Sequence, residues 1–239
     1  MKRHAALFAL LAFASSAHAL EMTTDTYFVA SIGQSHIDHT GLYNTNTNFI
    51  GHSGLAIKDM YASQKNSNDA FKLQMGYEFT PTWSIEGGYI DLGKSTYNTN
   101  FLAAIQSVIP PTNLGNGITG SGTFNTTFEP FSFKRVTKIS GWNVTGVGTL
   151  PVNDRWSLLG KFGLMRAEMR LHDSGAGFGT WSNPTEYRFI PTYGFGASYK
   201  VNKVFGLRAE FEKYPRIGRE ENTGVTDVNL GSVGLSAKF

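Results

Sequence analysis

The chain has no cysteine among its 239 residues. A disulfide framework, thiol chemistry and cysteine-ligated zinc are therefore excluded. Beyond the first 19 residues no apolar run approaches the roughly 18 residues that a helix needs to cross a bilayer, so a helical membrane protein is excluded as well. A clustered basic stripe is also missing, and with it the footprint of a nucleic-acid partner. The formal net charge of +3 falls to +1 once Lys2 and Arg3 are set aside.

Those two cations head a segment with the pattern of a cleaved export signal. They precede a short apolar run, Ala5 to Ala14, with Leu7, Phe8, Leu10, Leu11 and Phe13. Ala17-His18-Ala19 follows as a small-x-small cleavage site. Residues 1–19 are expected to be removed, leaving a single domain over 20–239.

What the remainder has is glycine (27) and aromatic residues (Phe 18, Tyr 10, Trp 4), a mixture that suits strands and turns. Its dominant signal is alternation with period two, in which successive side chains point to opposite faces of a strand. Phe71, Leu73, Met75, Tyr77 and Phe79 alternate with Lys72, Gln74, Gly76 and Glu78. The same pattern recurs around Trp83, Ile85 and Tyr89, then Trp142, Val144 and Leu150, then Trp156, Leu158, Phe162 and Leu164. It returns in Tyr187 to Tyr199 and in Phe205 to Phe211. A strand at each end, Tyr27–Gln34 and Val228–Phe239, brings the total to eight.

Each stripe covers about 9–11 residues, the length a tilted strand needs to cross hydrocarbon. Three connections are short, at Thr80–Thr82, Pro151–Asp154 and Asn202–Lys203. Four are long, at about His36–Asp69, Ser95–Phe131, Asp173–Thr185 and Ile217–Asp227. These are expected to be solvated loops, being rich in Asn, Thr, Gly and Ser. Short turns at one end and long loops at the other characterise outer-membrane barrels. The expected fold is all-β: an eight-stranded antiparallel up-and-down transmembrane β-barrel.

A soluble barrel would share the alternation but would turn its apolar face inward. Here the polar faces carry Lys72, Glu78, Glu86, Lys161, Arg188, Lys200, Arg208, Glu210, Glu212 and Lys238, while the opposite faces carry rings. Turning those rings inward overfills an eight-stranded lumen. The charges therefore belong inside. Enclosed charges must be paired, because each unpaired one costs several kcal/mol, so Arg208, Lys161 and Lys72 are expected to form a lumenal network with Glu86 and Glu210. Trp83, Trp142, Trp156, Tyr199 and Phe205 are expected to form an interfacial aromatic girdle.

Several segments resemble the transmembrane domain of the OmpA family. They are Trp83–Gly93 (WSIEGGYIDLG), Pro151–Met165 (PVNDRWSLLGKFGLM), Arg166-Ala167-Glu168, Tyr193-Gly-Phe-Gly196 and Leu207–Glu212 (LRAEFE). The resemblance implies a lumenal salt bridge between Glu86 of the third strand and Arg208 of the seventh. It places Val147 where the family has a lumenal lysine. It also implies that Phe239 is the terminal signal read by barrel-assembly machinery. The periplasmic peptidoglycan-binding domain found in many members is not expected here. The roles it implies are envelope integrity, narrow passive permeation and surface recognition through extracellular loops, with a monomer in membrane lipid and lipopolysaccharide as the expected state.

Enzymatic chemistry finds little support. His36, Asp38 and His39, with His52 further along, give a loose metal-binding spacing, and no metal or cofactor is expected. Glu168, His172 and Ser174 are near in sequence but do not define a nucleophile and base, so a lipid-modifying enzyme is the least favoured alternative. Pro191 interrupts a strand that needs partners on both sides. A bulge there is expected, or else that the strand's paired region rises above the lipid.

Overall fold

The computed structural model describes residues 25–38, 57–109, 123–176, 183–221 and 223–239. The expected export signal lies outside them, as do Gly41, Gly51 and Gly54. The elements are β1 (Thr26–Asp38), β2 (Ile57–Lys65), β3 (Ser67–Thr80), β4 (Trp83–Ile109), β5 (Thr123–Pro151), β6 (Trp156–Ala176), β7 (Thr185–Lys200), β8 (Phe205–Arg219) and β9 (Gly224–Lys238).

β3 through β9 pair in chain order, and β1 joins β9 to β3, so the antiparallel sheet closes on itself. The ring has eight strands. β2 is the upward continuation of β3, separated from it by Asn66 alone and paired likewise with β4. Opposite that break the β3–β4–β5 wall carries an irregularity between Asp91 and Lys94, where Gly93 adopts φ 85°. A side chain there would be strained by that φ, and its Cβ would fall 2.6 Å from the Asp69 carbonyl oxygen.

Register gives the stagger of the barrel. The row of partners starting at Ser35 passes through Leu230, Glu212, Gly194, Lys161, Val147, Ser84 and Glu78. It returns to β1 at Asp25, ten residues from its start, where the Glu78 amide donates to the Asp25 carbonyl at 2.8 Å. Such a stagger is what tilts the strands of a closed barrel by roughly 35–45°.

The alternation is inverted relative to a soluble barrel. On β3, Phe71, Leu73, Met75, Tyr77 and Phe79 are exposed, whereas Lys72, Gln74 and Gly76 are buried. The short turns follow from local chemistry. Asn153 Oδ1 accepts from the amides of Arg155 (2.9 Å) and Trp156 (2.8 Å), and Asn202 Oδ1 accepts from those of Val204 (2.8 Å) and Phe205 (2.7 Å). Thr80 Oγ1 does the same for Thr82 and Trp83 beside Pro81.

Four expected loops at the far end are corrected. The segment 95–131 is largely strand: β4 continues to Ile109 and β5 begins at Thr123. The segments 36–69 and 173–185 likewise surrender residues to β1, β2 and β6. The fourth long connection is a tight turn, since β8 reaches Arg219 and β9 starts at Gly224. The cause is that β pairing continues where the hydrocarbon stops, and a strand with water on both faces loses its apolar stripe but keeps its hydrogen bonds.

Pro191 occupies an unbulged β7, opposite Leu164 of β6. The β7–β8 ladder ends at Tyr193–Lys213, just below it. The expected bulge is not observed: pairing with β6 runs on past Pro191 to Thr185, and only the β8 side stops below it.

Candidate functional site

The lumen at mid-barrel is built from alternate residues of four strands. Glu86 follows Ser84 on the inner face of β4, Lys161 comes from β6, Lys72 from β3, and Arg208, Glu210 and Glu212 are successive inward positions of β8. All six are at most 7% exposed.

Glu86 Oε1 accepts from Arg208 Nη1 at 2.5 Å and from the Tyr27 hydroxyl at 2.8 Å. Its Oε2 lies 2.8 Å from Lys161 Nζ. Arg208 Nη2 also reaches Glu210 Oε1 at 2.8 Å. Lys161 is 3.2 Å from Glu210 and 3.4 Å from Glu212. Lys72 Nζ lies 2.5 Å from Glu210 Oε2 and pairs with Glu212. Three cations face three carboxylates, so the layer is neutral and each ion has more than one partner. That arrangement offsets the desolvation that would otherwise expel charge from an interior.

The expected residues Glu86, Arg208, Glu210, Lys161 and Lys72 are thus brought together. Glu212 belongs with them and was readable, because it lies two positions beyond Glu210 on the same face. Tyr27 was not readable as a member. Its ring lies over Gly76, whose missing side chain leaves the space, and its hydroxyl also meets Ser84 Oγ at 2.9 Å. Val147 sits directly opposite Lys161 across β5 and β6, so the cation absent from the fourth strand of the ring is supplied by the fifth.

Below this layer, at the short-turn end, a vestibule of about 940 Å³ is lined by residues including Tyr27, Ser84, Arg208 and Lys238. Above it apolar side chains predominate, with Gln74, Asn143 and Thr192 also buried. Ile37, Ile90, Leu92, Ile139, Met165, Met169, Ile190, Tyr214, Ile217, Val228 and Leu230 form one cluster of fully buried side chains.

Of the aromatic residues expected at the interface, Trp83, Trp156, Tyr199 and Phe205 stand at strand ends next to the short turns. The Trp156 and Tyr199 ring centroids are 5.0 Å apart. Trp142 lies apart from them, six residues along β5 from the partner of Trp83 and so roughly 20 Å along the strand. It packs edge-on against Tyr89 at 5.5 Å in a second belt. Phe239 is tied to β1 by its amide, which donates to the Thr26 carbonyl at 3.0 Å, and its ring meets Phe28 at 5.9 Å.

The remaining chemical candidates are scattered. His36 contacts Ser67 Oγ at 3.5 Å, His39 and His52 lie outside the described residues, and no group of three metal-ligating side chains occurs among the described residues. Glu168 is bound to Arg170 (2.5 Å) and to the Tyr187 hydroxyl (3.2 Å), while His172 and Ser174 are exposed on the outer wall.

A closed antiparallel ring of eight strands, apolar outside and ionic within, defines a small outer-membrane β-barrel protein of OmpA-like type. The chain belongs to the outer membrane protein beta-barrel domain family, whose model matches residues 5–239. No curated protein matches it. Among solved structures it is similar to Ail, the attachment invasion locus protein of Yersinia pestis, at 14% identity and a TM-score of 0.41, over 90% of this chain and 99% of that one. It is also similar to Neisserial surface protein A at 13% identity and a TM-score of 0.41, over 90% and 97%. OprG from Pseudomonas aeruginosa matches at 11% identity and a TM-score of 0.42, over 89% and 95%.

Proposed function

We propose that the protein is a closed structural barrel that contributes to envelope integrity, with passive permeation held to a low level by its lumen. The observation that carries this reading is the ending of the vestibule on Arg208, Tyr27 and Ser84, with the ionic layer and then an apolar layer stacked beyond it. Solutes of sugar size have no room beside six interlocked charged side chains in an eight-stranded lumen. Lipid-facing rings and a monomeric state belong to the same reading, and none of it involves catalysis.

The test pairs two measurements. Proteoliposomes should swell in arabinose no faster than protein-free vesicles, and cells lacking the protein should leak a periplasmic marker until the intact barrel is restored. Swelling at an open-porin rate, or an envelope indifferent to the deletion, overturns the proposal.

A second reading is surface recognition. β4 and β5 run for 27 and 29 residues, far beyond the 9–11 or so that the membrane requires, and β2 widens their hairpin into a three-stranded sheet outside the barrel. Removing residues 97–135 while retaining a folded barrel would abolish adhesion under this reading and leave it unchanged under the first.

A further inference from the structure

We infer that the outer wall of β4, β5 and β6, just above the Tyr89–Trp142 belt, is a binding site for the phosphorylated headgroup of lipid A. The outward residues of β6 change there from Phe162 and Leu164 to Arg166, Glu168 and Arg170, and those of β5 change from Val144 and Trp142 to Lys138 and Lys134. β4 adds Asp91 and Lys94.

Register makes this more than a scatter of surface charge. Lys94 is the partner of Lys138, and Lys138 is the partner of Arg170, so three cations stand side by side on three adjacent strands. Like charges directly opposite one another destabilise a sheet unless an anion bridges them. The protein supplies only part of that anion. Asp91 reaches Lys138 at 3.2 Å and Glu168 reaches Arg170 at 2.5 Å. Arg166 is held over the Tyr187 ring at 4.8 Å, and Lys94 and Lys134 are exposed. Lys94, Lys138, Arg166 and Arg170 thus stand beside two carboxylates, with Lys134 four residues further along β5.

The opposite wall lacks this excess. There Lys213 is paired with Asp227 at 3.3 Å and Arg219 with Glu186 at 3.2 Å, Arg216 lies beside Asp227, and β1 and β9 present Gln34 and Asn229.

Height and chemistry select the occupant. The long connections mark this end as the outer face of the membrane, whose outer leaflet is lipopolysaccharide. An aromatic belt lies at headgroup level, so cations immediately above it meet phosphate, while acyl chains run down past Trp142, Leu164 and Phe162. Arginine guanidinium groups suit phosphate through paired charge-assisted hydrogen bonds, and lysines add point charge. The inference rests on the membrane orientation alone and is independent of whether the lumen conducts.

The experiment measures binding of the detergent-folded barrel to bisphosphoryl lipid A, dephosphorylated lipid A and phosphatidylglycerol. It compares wild type, a Lys138→Gln/Arg166→Gln/Arg170→Gln variant and a Lys213→Gln control, with heat-modifiable gel migration reporting folding. Expected are at least tenfold weaker binding of bisphosphoryl lipid A by the triple variant, no change in the control, and a similar loss when phosphate is removed from the ligand. Single Lys94→Gln and Arg170→Gln variants, each expected to weaken binding two- to fivefold, replace the triple variant if it misfolds. Binding by the variants within error of wild type, or equal affinity of wild type for phosphatidylglycerol, overturns the inference.

Discussion

Lys72 of β3 reaches across the lumen to Glu210 of β8, 2.5 Å from Nζ to Oε2, and from the same position pairs with Glu212. One ammonium therefore separates two carboxylates that β8 places on one face. Lys72→Met keeps most of the length of the side chain and removes the charge, leaving those carboxylates with Lys161 and Arg208 alone. Breaking a buried pair by removing one partner costs about 3–5 kcal/mol. Urea unfolding in lipid vesicles, followed by tryptophan fluorescence, should show a loss of that size, and Glu212→Gln in the same background should recover much of it. A loss below about 1 kcal/mol would mean that water solvates the lumen and that the layer is not sealed.

Tyr27 depends on Gly76 in a different way. A Cβ on residue 76 would lie 2.2 Å from Cζ of the Tyr27 ring. Gly76→Val is therefore expected to drive the ring off Glu86 and Ser84, forfeiting hydrogen bonds of 2.8 and 2.9 Å. Tyr27→Phe removes the same two bonds without the clash and should cost about 1–3 kcal/mol by leaving acceptors unsatisfied. The valine variant should cost more. Combining the two should be less than additive, because both act through one contact.

The fate of these residues also shows where sequence reading stops. The eight membrane crossings and the inward placement of all six lumenal ions follow from alternation, since between the two belts one face meets lipid and the other meets charge. Above the Trp142 belt that contrast disappears. Thr96 to Asn100 has water-compatible residues at every position, so nothing in the sequence separated a strand from a loop there, although hydrogen bonds to Val136 through Ser132 continue the sheet. The apolar upper lumen was hidden for the opposite reason. Ile139 and Met169 point inward between outward Lys138, Glu168 and Arg170, so above the belt the apolar face turns to the lumen, the reverse of the rule that alternation follows between the belts. The exchange of Val147 for Lys161 was invisible because it depends on which residues stand opposite one another across β5 and β6.

The upper seam between β7 and β8 should be the weakest part of the wall. The Leu171 amide donates to the Pro184 carbonyl at 3.0 Å and the Lys200 amide to the Arg155 carbonyl at 2.8 Å, so even-numbered residues of β7 bond to β6 and odd-numbered ones face β8. Pro191, with no donor, therefore faces the side where pairing ends at Tyr193–Lys213. β8 departs from its register beyond Tyr214, with Arg216 at φ 53°. Above that point Arg188 Nη1 reaches the Gly218 carbonyl at 2.8 Å and Arg219 pairs with Glu186 at 3.2 Å. Hydrogen exchange should find the amides of Tyr187 and Phe189 exchanging at least tenfold faster than those of Arg188 and Ile190, and Arg188→Ala should widen the gap. Equal protection along β7 would show that the strands pair above Tyr193 after all.

The orientation of the wall makes the last prediction. Phe162 and Leu164 point away from the lumen, and they flank Lys161, whose ammonium is enclosed, and Met165, which is fully buried. If lipid covers the outer face, Phe162→Arg places a guanidinium in hydrocarbon near mid-membrane and should destabilise the folded barrel by about 2–4 kcal/mol in vesicles. The same substitution at Leu150, beside the short turn and its aromatic belt, should cost about 0–1 kcal/mol, because the side chain reaches the interface. Two equally small costs would mean that water, not lipid, lies against β6. The depth dependence is the decisive feature, since a soluble barrel with the same strands would accept arginine equally at both positions.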